Sequence, residues 1–213
     1  MTCGGTGGHI NPAIAVANRI KMISPGAEIA FVGTEKGMES SLVPKAGYPI
    51  RFVKVRGFKR KLTLANIDAA IKAVTSVVAA KRIIRDFQPD VVIGTGGYVS
   101  WPTVKAAAKL GVPTLIQEQN AFPGVTQRML AKYADKICVS FEESRKFFDA
   151  SVQDKILLTG NPVSASGITR AQAREKLGLE PGALYVVSSG GSLGAEKVNE
   201  YVFEVIGSYT GPK

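Results

Sequence analysis

Short apolar runs alternate with helical patterns along the chain, and this alternation limits the possible fold more than any other feature. The predicted strands are Glu28–Gly33, Ile50–Val55, Pro89–Gly94, Pro113–Ile116, Lys136–Val139, Lys155–Thr159 and Ala183–Ser188. The predicted helices are Met38–Lys45, Ile67–Phe87, Trp101–Leu110, Val125–Lys132, Glu142–Phe148, Arg170–Leu177 and Glu196–Ile206. Because strands that alternate with helices form parallel sheets covered by those helices, the pattern predicts an α/β fold.

Four glycines, a threonine and the only histidine of the chain lie together in the segment Gly4–His9. We expect a helix to follow at about Pro12. Glycines lack a Cβ, so successive N–H groups can turn toward one anion, and the helix adds the positive end of its dipole. Histidine is the side chain that titrates near neutrality. The segment therefore predicts a phosphate site with His9 as a candidate proton carrier.

Four loops are predicted at one edge of the sheet. They are Gly4–His9, Gly94–Ser100, Gln117–Gly124 and, in a later unit, Gly190–Ala195. Loops that follow the carboxyl ends of parallel strands share an edge, and ligands bind in the crevice there. Three of these loops are rich in glycine, which leaves room for a bulky ligand between two domains.

A dinucleotide-binding loop is a competing interpretation. Gly5-Thr6-Gly7 supplies part of that fingerprint and Glu35 stands where a ribose-binding acid is expected, but Ile10 occupies the third glycine position. A nucleoside triphosphate loop of the G-x-x-x-x-G-K-[ST] type does not occur in the sequence. The fingerprint is therefore incomplete, which disfavours nicotinamide binding.

The pattern breaks at Thr159–Pro162, which predicts a first domain over residues 1–163 and the start of a second over 164–213. About fifty residues are few for a second α/β domain of ordinary size. Only Met1–Cys3 precede the first glycine loop, although such loops normally follow a buried strand. We therefore expect the chain to be a fragment that lacks the preceding strand and much of the second domain.

Positive charge is concentrated in one region of the chain. The net charge is +10, and residues 51–85 hold ten basic residues against Asp68 alone. Such a patch is compatible with nucleic acid, with anionic lipid or with a solvated helix face. No nucleic-acid motif accompanies it, so nucleic acid is the least favoured partner.

Cysteine usage and hydropathy favour a reduced, cytoplasmic protein. Cys3 and Cys138 are isolated and lack metal-ligand spacing, so we predict buried thiols and no metal site. The sequence has neither a run of about eighteen apolar residues nor a signal-peptide pattern, so we expect no membrane span and no export.

Five motifs in order carry a resemblance to a known family. They are Gly4–His9 with Pro12-Ala13, Gly96–Ser100, Glu118–Asn120, Thr159–Val163 and Gly190–Ser192 with Gly194-Ala195. In this order and spacing they resemble the MurG family of peripheral membrane glycosyltransferases. That family adds N-acetylglucosamine to lipid-linked muramoyl-pentapeptide in peptidoglycan synthesis, which supports cell-wall biogenesis, cell shape and cell division.

The resemblance implies a GT-B architecture, with two Rossmann-like domains of which the second is truncated here. It implies an acceptor domain followed by a domain that binds UDP-N-acetylglucosamine, and an inverting transfer to the 4-hydroxyl of the acceptor. We predict no cofactor and no metal-ligating residues, while the sequence leaves stimulation by a metal open. The resemblance also places the enzyme at the cytoplasmic side of the cell membrane, against an anionic lipid surface.

The resemblance also implies roles for particular residues. His9 is the candidate general base, with a loop-bracing role as the alternative. Thr6, Gly7 and Gly8 are the candidate diphosphate contacts, and Asn120 is the residue that reaches the substrates across the cleft. Ser192 is the candidate contact to a donor phosphate or to the sugar, with a helix N-cap as the alternative. Tyr98 and Glu118 are placed on the acceptor side. Ser164 stands where the family commonly has an arginine facing the diphosphate, and Leu193 replaces a common glutamine. Both changes put donor affinity in doubt, since serine cannot supply the charge of arginine.

An apolar and basic segment is the candidate membrane contact. It consists of Phe58, Lys59, Arg60, Lys61 and Leu62. Basic residues that flank apolar ones suit anionic head groups. A solvated loop is the alternative interpretation.

Two other functions remain open from the sequence. A UDP-sugar epimerase of similar fold is disfavoured because the recognised loops hold few acid–base side chains. A membrane-binding fragment without catalysis is the other, and we expect the 213-residue chain alone to show little or no transfer.

Overall fold

The computed structural model describes residues 1–55, 65–164, 167–189 and 196–209, and of residues 65–74 it describes the backbone. The chain divides into two compact units, Met1–Ser164 and Ala165–Lys213. The first unit contains the sheet and every described residue of the candidate site.

The strands of the first unit are short and parallel. They are β1 (Phe31–Gly33), β2 (Ile50–Phe52), β3 (Val92–Gly94), β4 (Thr114–Glu118), β5 (Lys136–Val139) and β6 (Ile156–Leu158). β1 pairs with β2, and β3, β4, β5 and β6 pair in that order. The registers place Phe31 beside Ile50 and Ile116 beside Ile137. The predicted parallel α/β sheet is confirmed, with most strands shorter than the apolar runs that predicted them.

Residues Met1–Cys3, here called the Thr2 segment, join the two parts of the sheet. Thr2 forms parallel bridges to Val32 on one side and to Gly94 on the other. Its N–H donates to the Ile93 carbonyl at 2.8 Å. The order across the sheet is therefore β2, β1, the Thr2 segment, β3, β4, β5, β6. The expectation that a full strand is missing before the glycine loop stays a prediction, because Met1 and Thr2 pair with both neighbours but Thr2 forms isolated bridges only.

Helices follow the strands along the first unit. They are α1 (Gly7–Ile23), α2 (Glu39–Lys45), α3 (Ala65–Phe87), α4 (Ser100–Lys109) and α5 (Val125–Leu130). The start expected at about Pro12 is too late, because the Thr6 carbonyl already accepts hydrogen bonds from the N–H groups of His9 and Ile10. The predicted helix at Glu142–Phe148 is a 3₁₀ helix, Glu142–Phe147, and an unpredicted one, Ala150–Lys155, follows it.

Apolar side chains between the helices and the sheet form the core. Val104 of α4, Ile116 of β4 and Ile137 of β5 are fully buried in one cluster. Ile10 of α1 and Phe31 of β1 are fully buried in a second. Burial of one such side chain contributes about 1.5–3 kcal/mol. The packing therefore fixes the positions of the loops at the carboxyl edge of the sheet.

The second unit contains two described helices, α6 (Arg170–Lys176) and α7 (Glu196–Ser208). A capping box starts α6, in which Gln172 N–H donates to the Thr169 hydroxyl at 3.2 Å. The strand predicted at Ala183–Ser188 is wrong, since these residues have no strand conformation and pair with no described strand. Leu184, one of the apolar residues on which the strand prediction rested, is 82% exposed and therefore not part of a buried core.

Candidate functional site

Two loops leave the sheet at the point where the strand order reverses. Gly4–Thr6 follows the Thr2 segment and Thr95–Val99 follows β3. From the Thr2 segment the chain proceeds to β1 and β2 on one side and then returns to β3 on the other. Ligands of open parallel sheets bind in the crevice at such a switch point.

Contacts confirm that three of the four predicted loops converge. The Thr95 hydroxyl donates to the His9 carbonyl at 2.7 Å, which joins the loop after β3 to the start of α1. Gln119, which follows β4, lies 3.1 Å from the His9 ring. The fourth loop, Gly190–Ala195, lies outside the described residues.

The two glycine-rich loops interlock backbone against backbone. Gly97 has a φ of +82°, and a Cβ at this position would overlap the carbonyl oxygen of Gly4. A Cβ at Gly4 would in turn lie 2.8 Å from Glu39 Oε1 and 2.8 Å from a methyl group of Val99. The close approach therefore requires glycine at both positions.

The carboxylate of Glu39 holds the first glycine loop through a hydrogen bond to Gly5, and sequence reasoning missed this residue. Its carboxylate is fully buried and accepts hydrogen bonds from Gly5 N–H at 3.2 Å, Thr34 N–H at 3.0 Å and the Thr34 hydroxyl at 2.7 Å. Hydrogen bonds of this kind satisfy a buried carboxylate. An acidic residue on a short helix gives no sign in the sequence that it is buried.

The first turn of α1 presents backbone donors to solvent. Thr6 is the N-cap residue, is extended, and its side chain makes no capping hydrogen bond. Thr6 and Gly8 are exposed and Gly7 is half-buried. The first N–H groups of a helix lack partners within it and carry the positive end of its dipole. This geometry suits an anion, while the role of Thr6, Gly7 and Gly8 toward a diphosphate stays a prediction.

A cavity of about 500 Å³ borders this turn. It is lined by residues of α1 and of the segment after β6, namely Gly7, Gly8, Asn11, Pro12, Ile14 and Asn161–Ser164. The structure thus brings the predicted position Ser164 to the same cavity as Gly7 and Gly8. His9 lies outside this lining.

His9 is half-buried between two loops. Its Nδ1 lies 3.1 Å from Gln119 Oε1. A Cβ at Gly96 would lie 2.7 Å from the same nitrogen, so the ring packs directly on the Gly96 backbone. Sequence reasoning singled out His9 but missed Gln119, whose only signal was its place between Glu118 and Asn120.

Glu118 is buried and directs both carboxylate oxygens to its own loop. Oε1 accepts from the N–H and the side-chain Nδ2 of Asn120, each at 2.8 Å. Oε2 accepts from Gly124 N–H at 2.8 Å. Asn120 itself is exposed. These contacts are those of a residue that orients Asn120, and a role of Glu118 toward an acceptor stays a prediction.

Tyr98 lies against the first glycine loop. Its hydroxyl is 3.4 Å from the Thr34 hydroxyl, and either oxygen can donate. Its ring lies 3.8 Å from the position of a Cβ on Gly5. Tyr98 is half-buried, so part of it faces solvent.

Several predicted positions lie outside the described residues. They are Ser192, the altered position Leu193, and the basic segment Phe58, Lys59, Arg60, Lys61 and Leu62.

Cys3 is close to the loop but unsuited to nucleophilic chemistry. Burial, and to a smaller extent the charge of Glu39, raise the pKa of its thiol to about 12. The thiol is therefore protonated at neutral pH, and a thiol is a poor nucleophile. Within the described ranges, no group of three or more His, Cys, Asp or Glu side chains could hold a metal ion.

The sequence matches a family model and curated relatives. Residues 1–139 match the glycosyltransferase family 28 N-terminal domain. A curated relative from Alkaliphilus oremlandii is 46% identical over 211 residues, which cover 98% of this chain and 57% of the relative. It is named UDP-N-acetylglucosamine–N-acetylmuramyl-(pentapeptide) pyrophosphoryl-undecaprenol N-acetylglucosamine transferase. The chain thus spans little more than half the length of this relative.

Comparisons of structure agree with the fold. MurG from Acinetobacter baumannii is similar with a TM-score of 0.62 and 33% identity, over 78% of this chain and 45% of that protein. A UDP-N-acetylglucosamine 2-epimerase from Rickettsia bellii has a TM-score of 0.52 and 16% identity, over 85% of this chain and 51% of that protein. The second likeness shows the fold alone. Together with the family match, the first confirms the predicted GT-B-like α/β class.

Proposed function

The chain belongs to glycosyltransferase family 28, and from this premise we propose that it supplies the acceptor side of an N-acetylglucosaminyltransferase. The proposed donor is UDP-N-acetylglucosamine and the proposed acceptor is polyprenyl-linked muramoyl-pentapeptide, as in peptidoglycan synthesis. The observation that carries the proposal is the position of His9, which lies half-buried at the switch point beside two interlocked glycine loops. In this proposal the second unit, Ala165–Lys213, is the start of the domain that binds the nucleotide sugar.

The proposed reaction is a single displacement with inversion at the sugar. The acceptor 4-hydroxyl forms a bond to C1, the bond from C1 to UDP breaks, and UDP leaves with the electron pair. His9 takes the hydroxyl proton as general base. Negative charge on the diphosphate is stabilised by N–H groups at the start of α1, near Thr6, Gly7 and Gly8. These donors come from the backbone, so the proposal includes neither a metal nor a cofactor.

The remaining site residues have supporting roles in the proposal. Asn120 is exposed and held by Glu118, so its amide can contact substrate across the crevice. Tyr98 borders the acceptor side. Ser164 lies on the cavity beside α1, where it offers one hydroxyl and no charge. Donor binding here therefore depends more on backbone groups than on a cation.

The epimerase alternative is not favoured. The similar epimerase structure is 16% identical and shares the fold, whereas the transferase relative is 46% identical over nearly the whole chain.

We propose that the reaction takes place at the cytoplasmic face of the cell membrane, because the acceptor is anchored in lipid. No helix in the described part of the chain is long and apolar enough to span a bilayer. The basic segment Phe58–Leu62 is the proposed contact with anionic head groups, and its support is its sequence alone.

Charge reversal tests this contact. With Lys59, Arg60 and Lys61 all changed to glutamate, we expect binding to phosphatidylglycerol vesicles at low salt to weaken at least about 100-fold. Each basic residue near an anionic surface contributes about 1 kcal/mol. Vesicle co-sedimentation measures the binding.

The matched control reverses three exposed lysines elsewhere, Lys36, Lys45 and Lys136. It carries the same net charge and should bind nearly as well as the unaltered chain. Equal weakening in both variants would show that net charge alone attracts the protein to the vesicles.

Sugar transfer is tested with a completed chain, in which these 213 residues are joined to the remaining part of the Alkaliphilus oremlandii relative. With UDP-N-acetylglucosamine and a lipid-linked muramoyl-pentapeptide, we expect transfer of N-acetylglucosamine and release of one UDP per transfer. Radiolabelled sugar recovered in the lipid product measures it. The 213-residue chain alone should show little or no transfer, since it spans 57% of the relative.

The relative itself serves as the positive control in the same assay. Activity of the relative without activity of the completed chain would contradict the proposal. Epimerisation of UDP-N-acetylglucosamine without acceptor would favour the epimerase instead.

A further inference from the structure

We propose that Gln119 is a positioning residue that holds His9 in the tautomer with the proton on Nδ1. Nε2 then keeps its lone pair, and this nitrogen is the one that can accept a proton. The inference rests on the proposed function for the use of that lone pair. The tautomer itself is a property of the fold.

The orientation of the Gln119 amide follows from its neighbours. One end of the amide lies 2.7 Å from the Thr95 carbonyl oxygen and 3.1 Å from the Gln117 carbonyl oxygen. Backbone carbonyl oxygens only accept hydrogen bonds, so this end must be the NH₂ group. The other end, which faces His9, is therefore Oε1.

The tautomer of His9 follows in turn. An amide oxygen only accepts, and it lies 3.1 Å from His9 Nδ1. The hydrogen bond therefore forms when Nδ1 carries the proton. In a neutral imidazole with Nδ1 protonated, Nε2 is unprotonated. An orienting group of this kind serves the base of a catalytic triad, although here it is a neutral amide.

The geometry also limits movement of the His9 ring. Gly96 packs against Nδ1 on one side, since a Cβ there would lie 2.7 Å away. The Thr95 hydroxyl fixes the His9 backbone through its carbonyl at 2.7 Å. Thr95 thus contacts His9 directly and, through its own carbonyl, Gln119 as well.

Gln119 is itself fixed by a chain of glutamines. The Gln117 side chain donates to the Ser140 hydroxyl at 3.1 Å and to the Glu118 carbonyl at 3.1 Å. Gln127 of α5 donates to the Gln117 carbonyl, which also accepts from Gln119. Partners at both ends of an amide hold it in one arrangement, and the Gln119 amide has partners at its oxygen and at its NH₂ group. The network therefore connects α5 to the His9 ring.

Nitrogen-15 NMR of the 213-residue chain tests the inference directly. His9 is the only histidine, so a chain labelled at histidine and made without a polyhistidine tag gives the signals of one ring. The shifts are recorded over a pH series, and their plateau at high pH is that of the neutral ring. We expect a protonated-nitrogen shift at Nδ1 and an unprotonated-nitrogen shift at Nε2. The reverse pattern, or averaged shifts for both nitrogens, would overturn the proposal.

The variant Gln119→Leu tests whether Gln119 determines the tautomer of His9. In Gln119→Leu the acceptor is removed, so we expect the two tautomers to exchange and their shifts to average. Unchanged shifts in this variant would also overturn the proposal. Circular dichroism and Trp101 fluorescence check that it folds, and the measurement on the unaltered chain decides the tautomer without any variant.

Gln153→Leu is the matched control. Gln153 is also half-buried and also donates to two backbone carbonyls, those of Arg145 and Phe148. It does not contact His9, so its loss should leave both nitrogen shifts unchanged. A change equal to that of Gln119→Leu would assign the effect to general loosening of the fold and reject the positioning role.

Kinetics separate this inference from the proposed function. In the completed chain we expect Gln119→Leu to lower kcat roughly tenfold, the loss expected for one hydrogen bond, with little change in KM. Transfer without the Nδ1-protonated tautomer would reject the inference and keep the function. The tautomer without any transfer would reject the function while Gln119 would still be shown to position His9.

Discussion

Replacing His9 with asparagine in the completed chain should lower kcat at least about 100-fold, the effect of losing a general base. The asparagine NH₂ can still donate to Gln119 Oε1, which lies 3.1 Å from Nδ1 in the unaltered chain. The variant therefore keeps the contact that braces the loop and removes the nitrogen that is proposed to accept the proton. KM for the acceptor should change little, since the proposal gives that nitrogen no part in substrate binding. Initial rates at varied acceptor concentration measure both constants.

Arg19→Ala is the control for this variant. Arg19 is exposed on the same helix, α1, and should leave kcat unchanged. Turnover of His9→Asn close to that of the unaltered protein would assign His9 a bracing role and remove it from the reaction.

Replacing Gly97 with alanine should lower the free energy of unfolding of the first unit by about 2–5 kcal/mol. A φ of +82° is strained for any residue with a Cβ, which costs roughly 1–2 kcal/mol. The new Cβ would also overlap the carbonyl of Gly4, and a backbone group cannot rotate away as a side chain does. Relief of such overlap by backbone movement costs typically 1–3 kcal/mol more.

Gly111→Ala separates the two contributions. Gly111 has a φ of +72° and no heavy atom within 4 Å of its Cβ position. The free energy of unfolding of this variant should therefore fall by roughly 1–2 kcal/mol, from backbone strain alone. Urea unfolding followed by fluorescence measures both variants. Trp101 is the only tryptophan and lies on α4, so the signal reports on the first unit. Equal losses in the two variants would show that the contact with Gly4 contributes nothing.

Sequence periodicity was sufficient for the class of the first unit. Parallel strands such as β3 and β5 are covered on both faces, so they appear as continuous apolar runs in any sequence. The same reasoning failed at Ala183–Ser188, because an apolar run becomes a strand only when a neighbour pairs with it. It also failed at Glu142–Phe147, a short segment that forms a 3₁₀ helix in place of the predicted α-helix.

The site was predictable where local chemistry limits the choice of residue. A cluster of glycines with a histidine before a helix is visible in the sequence without any knowledge of contacts. Glu39 and Gln119 were not predictable, because their roles depend on partners far away in the chain. Gln119 is 110 residues from His9, and nothing near either residue indicates that they meet. Glu39 gives no local sign that its carboxylate is buried under Gly5.

The Thr2 segment has a mechanical consequence for the first unit. Its middle residue forms a single bridge to Val32 on one side and a single bridge to Gly94 on the other, whereas neighbouring strands elsewhere pair over three or four residues. The Thr2 segment is thus held to β1 and to β3 by fewer paired residues than the other neighbouring strands of the described sheet, and this line of weak pairing ends at the crevice. A pulling force applied across the strands should separate the unit at this seam first. A ligand that bridges the loops on both sides would act as a clamp across it and raise the force needed.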